Sequence, residues 1–176
     1  MASDGGTIAS GPFKLISNPF LKSVISIYMV YKGRYRVKNY KKYRGDPTKV
    51  IYRSSWERAV FRYLDANDDI VEWNSESFVI PYRCRTDNRM HRYFIDIYLL
   101  HKNGKKYLVE IKPKYQTVPP KTPKRKTKKY LNEVKTYVKN VSKWEAAEKW
   151  SIDRGYKFQI WTEDTLTNMG IKILKG

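Results

Sequence analysis

Cysteine and histidine are nearly missing from this chain: Cys84 is its one cysteine, and His91 and His101 are the only histidines among 176 residues. A single cysteine excludes an internal disulfide and any cysteine-cluster zinc site, and points to an intracellular setting. Two histidines leave little material for histidine-rich metal centres or histidine-based hydrolase triads. Long apolar runs are missing too. The longest, Phe20 to Tyr31, covers twelve residues and includes Lys22, whereas a bilayer needs roughly 20 apolar residues, so no membrane role is expected. No basic region followed by an apolar run marks a signal peptide at the N-terminus. Acid is also scarce: 17 Asp and Glu stand against 36 Lys and Arg, for a net charge of +19. That excess exceeds what solubility requires, and it makes a polyanion, above all nucleic acid, the expected partner.

The length fits one domain with a tail. Residues 1–30 begin with a Gly-, Ser- and Pro-rich stretch without periodicity and read as a flexible extension, leaving 31–176 as the folded domain. Residues 32–45, "KGRYRVKNYKKYRG", carry seven Lys or Arg and no acid. They read as a phosphate-tracking arm, with Arg34, Arg36, Lys41 and Lys42 as contacts. "SSWERAVFRYLDAN" predicts a helix capped by Ser54, with Trp56, Val60, Tyr63 and Leu64 at helical spacing. "IVEWNSESFVIPY" predicts one strand or two short ones, and a hairpin follows. Residues 127–154 predict a long helix with Leu131, Val134, Val138 and Val141 on one face and Gly155 as its stop, and "YKFQIWT" a last strand. The order is α-β-β-β-α-β, a mixed α/β class. Residues 112–129 form a second basic segment of eight Lys or Arg, no acid and four prolines. Lys114, Lys121, Lys124, Arg125, Lys126, Lys128 and Lys129 there are further candidates for holding a DNA backbone, and Arg53 beside the first helix is another.

The hairpin "RYFIDIYLLHKNGKKYLVEIKPK", residues 92–114, carries the chemistry. Asp96 lies among apolar neighbours, and Glu110 and Lys112 share one face of the next strand, because side chains alternate. A two-residue Asn103-Gly104 turn would set Asp96 opposite Ile111. A three-residue loop ending on Gly104, the residue suited to the left-handed position, sets Asp96 opposite Glu110. The three-residue loop is expected. A lone buried carboxylate is costly, and a facing pair can share a cation between strands where it would otherwise repel. Two carboxylates and a lysine in this arrangement suit metal-assisted phosphodiester hydrolysis, with Mg²⁺ as the cation and Mn²⁺ as an alternative. Lys112 would position or deprotonate the nucleophile, or neutralise developing charge.

Glu57 in "SSWERAVFRYL", Asp96 in "FID" and Glu110 with Lys112 in "VEIKPK" together resemble the PD-(D/E)xK nuclease superfamily, with Ile95 in place of its nominal proline. From about Tyr31 to Thr162 the chain is similar to the head-completion nucleases of T-even-type phages. It is more distantly similar to the N-terminal domain of transposon end-cleaving endonucleases. The resemblance implies a restriction-endonuclease-like αβββαβ core, a mixed sheet flanked by helices. It implies a Mg²⁺-dependent endodeoxyribonuclease acting in phage head completion after packaging. The partners implied are DNA and proteins of the head, portal vertex or neck, with no small-molecule cofactor, in a virion assembled in the host cytoplasm. Asp96, Glu110 and the Ile111 carbonyl would ligate metal, Lys112 would be catalytic, and Glu57 would reach a second metal or act through water. Ser54 to Glu57 also read as a capping box, with Glu57 bonded back to the Ser54 amide. Two alternatives stand beside this: a virion protein that keeps the fold to plug or bind DNA, and a transposase- or repair-type nuclease. Glu76 reads as an exposed strand residue, His91 as structural or DNA-facing, and Cys84 as inert.

Overall fold

The computed structural model describes residues 32–173; the extension expected over 1–30 lies outside them. Two short strands, β1 (Gly33–Arg34) and β2 (Ile51–Tyr52), precede helix α1 (Ser55–Ala66). Strands β3 (Ile70–Ser75), β4 (Val79–Arg83), β5 (Met90–Phe94), β6 (Ile97–His101) and β7 (Lys106–Ile111) follow. A 3₁₀ turn at Lys114–Gln116 leads through the basic loop to the long helix α2 (Lys128–Ile152), then strand β8 (Tyr156–Trp161) and helix α3 (Glu163–Asn168).

Four strands form the central sheet in the order β3-β6-β7-β8, antiparallel except for the parallel pair β7–β8, and β4 and β5 form a separate ribbon. Alternation along β6 and β7 divides two cores. Ile97, Leu99, Val109 and Ile111 pack with Val60, Phe61 and Leu64 of α1, while Tyr98 and Leu108 pack with Ala147 of α2. The sheet is therefore sandwiched between helices, the mixed α/β class expected.

Three expectations change. The basic segment 32–45 is not a free arm. Tyr35 and Val37 are buried, and the buried Asp65 fastens the backbone by accepting from the Lys38 amide at 2.7 Å, the Asn39 amide at 2.9 Å and the Tyr35 hydroxyl at 3.1 Å. In α2 the inner stripe is not Leu131, Val134, Val138 and Val141. Leu131 is 50% exposed, and the buried positions are Asn140, Ser142, Ala147 and Ser151. Lys143 lies at helical spacing with Asn140, Ala147 and Ser151. Third, Asp96 is not inside a strand. It sits in the two-residue break, Ile95–Asp96, between β5 and β6.

That break has a geometric cause. Ser75 pairs with Ile97 and Val79 with Phe94, so Glu76, Ser77 and Phe78 lie across from only Ile95 and Asp96. The extra residue works as a bulge. Glu76 takes it up in the left-handed region at φ 52°, and its amide donates to the Asp96 carbonyl at 3.2 Å. One extended chain thereby serves both the ribbon and the central sheet.

Candidate active site

The register of the β6–β7 hairpin places the charges. Ile97 pairs with Val109 and Tyr98 with Leu108, so continuing the ladder by one residue sets Asp96 opposite Glu110. The loop has the three-residue form expected: the His101 amide donates to Lys105, the Gly104 amide to His101, and Gly104 adopts φ 77°. Asp96 and Glu110 share the parity of Tyr98 and Leu108, so both belong to the face that α2 covers.

Glu110 is only 2% exposed. Its Oε2 accepts from the Tyr93 hydroxyl at 2.8 Å and its Oε1 from the Lys112 ammonium at 2.9 Å. Asp96 Oδ2 accepts from the Ile111 amide at 2.8 Å. Burial, and then the charge of Glu110, push the Asp96 carboxyl well above its ordinary range, against the pull of Lys112 and the Ile111 amide. Burial works against the Lys112 ammonium, but the Glu110 and Asp96 carboxylates prevail and hold its pKa above the usual lysine value. The Lys112 amide donates to Trp161 in β8. The backbone of Ile111 therefore faces the opposite edge, toward Asp96, and a strand residue presents its carbonyl on the same edge as its amide. Two carboxylates and a carbonyl edge converge there. Such an all-oxygen donor set, with one carboxyl strained by the other's charge, fits a hard divalent cation.

Glu57 reaches this cluster from α1, though first as a cap. The Glu57 amide donates to Ser54 Oγ at 3.1 Å, and its carboxylate accepts from the Ser54 hydroxyl at 3.0 Å and the Arg53 amide at 2.7 Å. The reciprocal bond thus goes to Arg53, one residue earlier than the capping-box pattern predicts. Burial raises the Glu57 pKa against these bonds, and its charge is felt at both Asp96 and Lys112. Glu76 is not an ordinary strand residue. It receives Arg53 in a two-pronged ion pair at 2.6 and 3.0 Å on the same side of the cluster.

Two neighbours escaped the sequence reading. Tyr93 looked like one more apolar strand residue, and only the β5–β6 break aims its hydroxyl at Glu110. Lys143 lies with its ammonium 5.2 Å from the Tyr93 ring centre. Burial lowers its pKa, while Glu110 acts the other way and Lys112 and Lys139 add to the depression. The signal was a polar helical stripe, Asn140-Lys143-Ala147-Ser151, where an apolar one was sought. Replacing Tyr93 by phenylalanine should cost about 1–2 kcal/mol in urea unfolding, because a buried carboxylate oxygen loses its donor. An unchanged unfolding midpoint would mean that this bond does not support Glu110.

The basic candidates divide. Lys121, Lys124, Arg125, Lys126 and Lys128 are exposed and make no ion pair among the described residues, and the same holds for Arg34, Arg36 and Lys41. Lys42 drops out of the phosphate-binding set, because its ammonium is bound to the Asn67 carbonyl at 2.9 Å and is largely covered. Arg53 is tied to Glu76, Lys114 to Asp164 at 2.6 Å, and Lys129 loosely to Glu133 at 3.9 Å. A separate group of Cys84, Asp87 and His91 closes the β4–β5 turn. Each has a local partner, His91 against Asp87 at 2.8 Å and the Cys84 thiol against Thr86 at 3.0 Å. Among the described residues no helix is long and apolar enough to cross a membrane.

Residues 67–163 match the family described as the TnsA-like endonuclease N-terminal domain. That span holds Asp96, Glu110 and Lys112 and begins after Glu57. The chain is also 45% identical over 148 residues to the head completion nuclease of Enterobacteria phage T4, covering 82% of this chain and 99% of that protein.

Proposed function

The chain belongs to the head completion nucleases, built on a TnsA-like endonuclease domain, and from that premise we propose how its residues cut DNA. It is a phage endodeoxyribonuclease that acts on packaged DNA during head completion, at the DNA end or the portal vertex, in contact with virion proteins. The observation that carries the chemistry is the β6–β7 register, which continued by one residue sets Asp96 opposite Glu110, with Lys112 2.9 Å from Glu110.

Asp96, Glu110 and the Ile111 carbonyl hold a divalent cation, Mg²⁺ or Mn²⁺. When bound, the cation polarises the scissile phosphoryl group and eases deprotonation of water. The protein's own groups do the rest. Tyr93 fixes the Glu110 carboxylate. Lys112, whose proton is firmly held, is a poor base, so its role is to neutralise charge that develops on the phosphoryl oxygens. Lys143 adds positive potential from α2. Glu57 holds the start of α1 against the cluster and acts at longer range, on a second cation or through water. Lys121 to Lys128 track the DNA backbone.

Purified protein incubated with supercoiled plasmid and Mg²⁺ should nick and then linearise it, and EDTA should stop the reaction. Cleavage that continues in EDTA would remove the cation from this account. Binding with no cleavage under Mg²⁺ or Mn²⁺ would leave a DNA-binding virion protein in its place.

A further inference from the structure

A cavity of about 700 Å³ opens between the basic loop and the N-terminal half of α2. Its size lies within the range of roughly 300–1,000 Å³ usual for small-molecule pockets. Val118, Pro119 and Pro120 form its loop side, and Thr136, Tyr137 and Asn140 its helix side. Asn140 is 6% exposed, and its side chain makes no hydrogen bond among the described residues. Its amide atoms are not among the fully buried unpartnered ones, so solvent still reaches them, and both donor and acceptor are free to bond a ligand there. The space it borders is this cavity.

Position and charge indicate what that is. Asn140 lies one helical turn, about 5 Å, before Lys143, and Lys143 exchanges charge effects with Glu110, Lys112 and Asp96. The loop wall belongs to the segment that leaves Lys112, its first lining residue being Tyr115, three positions on. A strand whose phosphate lies at the cluster and whose backbone follows this segment is led to the cavity. Lys121 and Lys129 stand on its lining, Glu133 is the one acid there, and the segment 112–129 contains none. Asparagine offers the paired donor and acceptor that match a base edge, and a tyrosine ring offers a stacking surface that tolerates any base.

We propose that this cavity receives one unpaired nucleobase next to the cleaved bond. The base stacks on Tyr137, Asn140 bonds its edge, and Lys121 and Lys129 take the flanking phosphates. The inference rests on the nuclease reading and specifies its substrate: DNA that is locally unpaired, with the base drawn out beside the reacting phosphate.

The test uses two otherwise identical duplexes carrying 2-aminopurine near the cleavage position, paired in one and unpaired in the other. Fluorescence is read with Ca²⁺ in place of Mg²⁺, and cleavage with Mg²⁺. The unpaired base should change its fluorescence on binding, and the unpaired substrate should be cut about tenfold faster or more, as expected for one base–aromatic stack. Tyr137→Ala and Asn140→Leu should bring that ratio toward one. Asn140→Leu conserves volume, so an unchanged melting temperature separates lost recognition from lost folding. A ratio near one in the unaltered protein, or a ratio that survives both substitutions, overturns the proposal. Cleavage without the fluorescence response defeats the cavity and leaves the nuclease intact. The response without any cleavage defeats the nuclease and leaves the cavity. If both variants keep every DNA readout but lose affinity for an acidic peptide such as poly-glutamate, the cavity is a protein-docking site and the proposal falls.

Discussion

An Asp96→Asn protein should be both more stable and nearly inactive. The Asp96 carboxyl is pushed up by burial and by Glu110, so its ionised form is disfavoured in the folded state relative to the unfolded chain. Asparagine keeps an oxygen for the Ile111 amide and removes the charge. A gain of about 0.5–2 kcal/mol is the usual size when a functional residue held at a cost to stability is replaced. Cleavage should fall about 10²–10³-fold or more, because a neutral amide is a poor ligand for a hard cation. Adding Mg²⁺ should shrink the stability difference, since a cation offsets the repulsion that only the unaltered protein suffers. Lys112→Ala should lose activity to a similar degree but with stability moving the other way, because buried Glu110 loses the ammonium at 2.9 Å. Urea unfolding with and without Mg²⁺, beside plasmid cleavage, separates the two. If Asp96→Asn unfolds at lower urea than the unaltered protein, the carboxyl is a structural acceptor and not a group held under strain.

The hairpin shows how much of this site could be read from residue order alone. Gly104 can occupy a left-handed position and a facing carboxylate pair can share a cation; together these selected one register of two, and the ladder has it. Ser54 and the helical spacing of Val60 and Leu64 likewise located α1. What could not be read depends on contacts between segments far apart in sequence. The break at Ile95–Asp96 exists because β5 leaves for β4 while β6 joins β3 and β7, with the surplus residue taken up at Glu76. No local pattern within residues 93–100 signals that. The same break aims Tyr93, an apolar-looking residue, at Glu110. In α2 the apolar periodicity of Leu131, Val134, Val138 and Val141 pointed to the wrong face, since the covered stripe is polar where it borders the carboxylates and the cavity. The basic segment 32–45 misled for the opposite reason: its charges are exposed, but Tyr35 and Val37 between them are core and Asp65 fastens its backbone.

DNA affinity should fall by about 10³–10⁵ between 50 and 200 mM salt if six to ten phosphates are neutralised. Charge alone does not identify which residues do this, since the chain carries +19 and most surface cations would raise affinity slightly. The ion pairs do. Lys124, Arg125 and Lys126 are exposed and unpaired among the described residues, on the loop that leaves Lys112. Each phosphate left without its cation should flatten the plot of log affinity against log salt by about 0.9. Replacing all three by alanine should therefore reduce the slope by about 2.7, with the melting temperature unchanged. Lys42→Ala is the informative contrast: its ammonium already serves the Asn67 carbonyl at 2.9 Å, so the slope should stay the same while stability drops. Fluorescence anisotropy titrations across a series of salt concentrations measure the slopes, and thermal melts the stabilities. Equal slopes for the triple variant and the unaltered protein would mean that the loop does not touch phosphate. DNA would then have to reach Asp96, Glu110 and Lys112 across another face, and the Tyr137–Asn140 cavity, walled by that loop, would lie off its path.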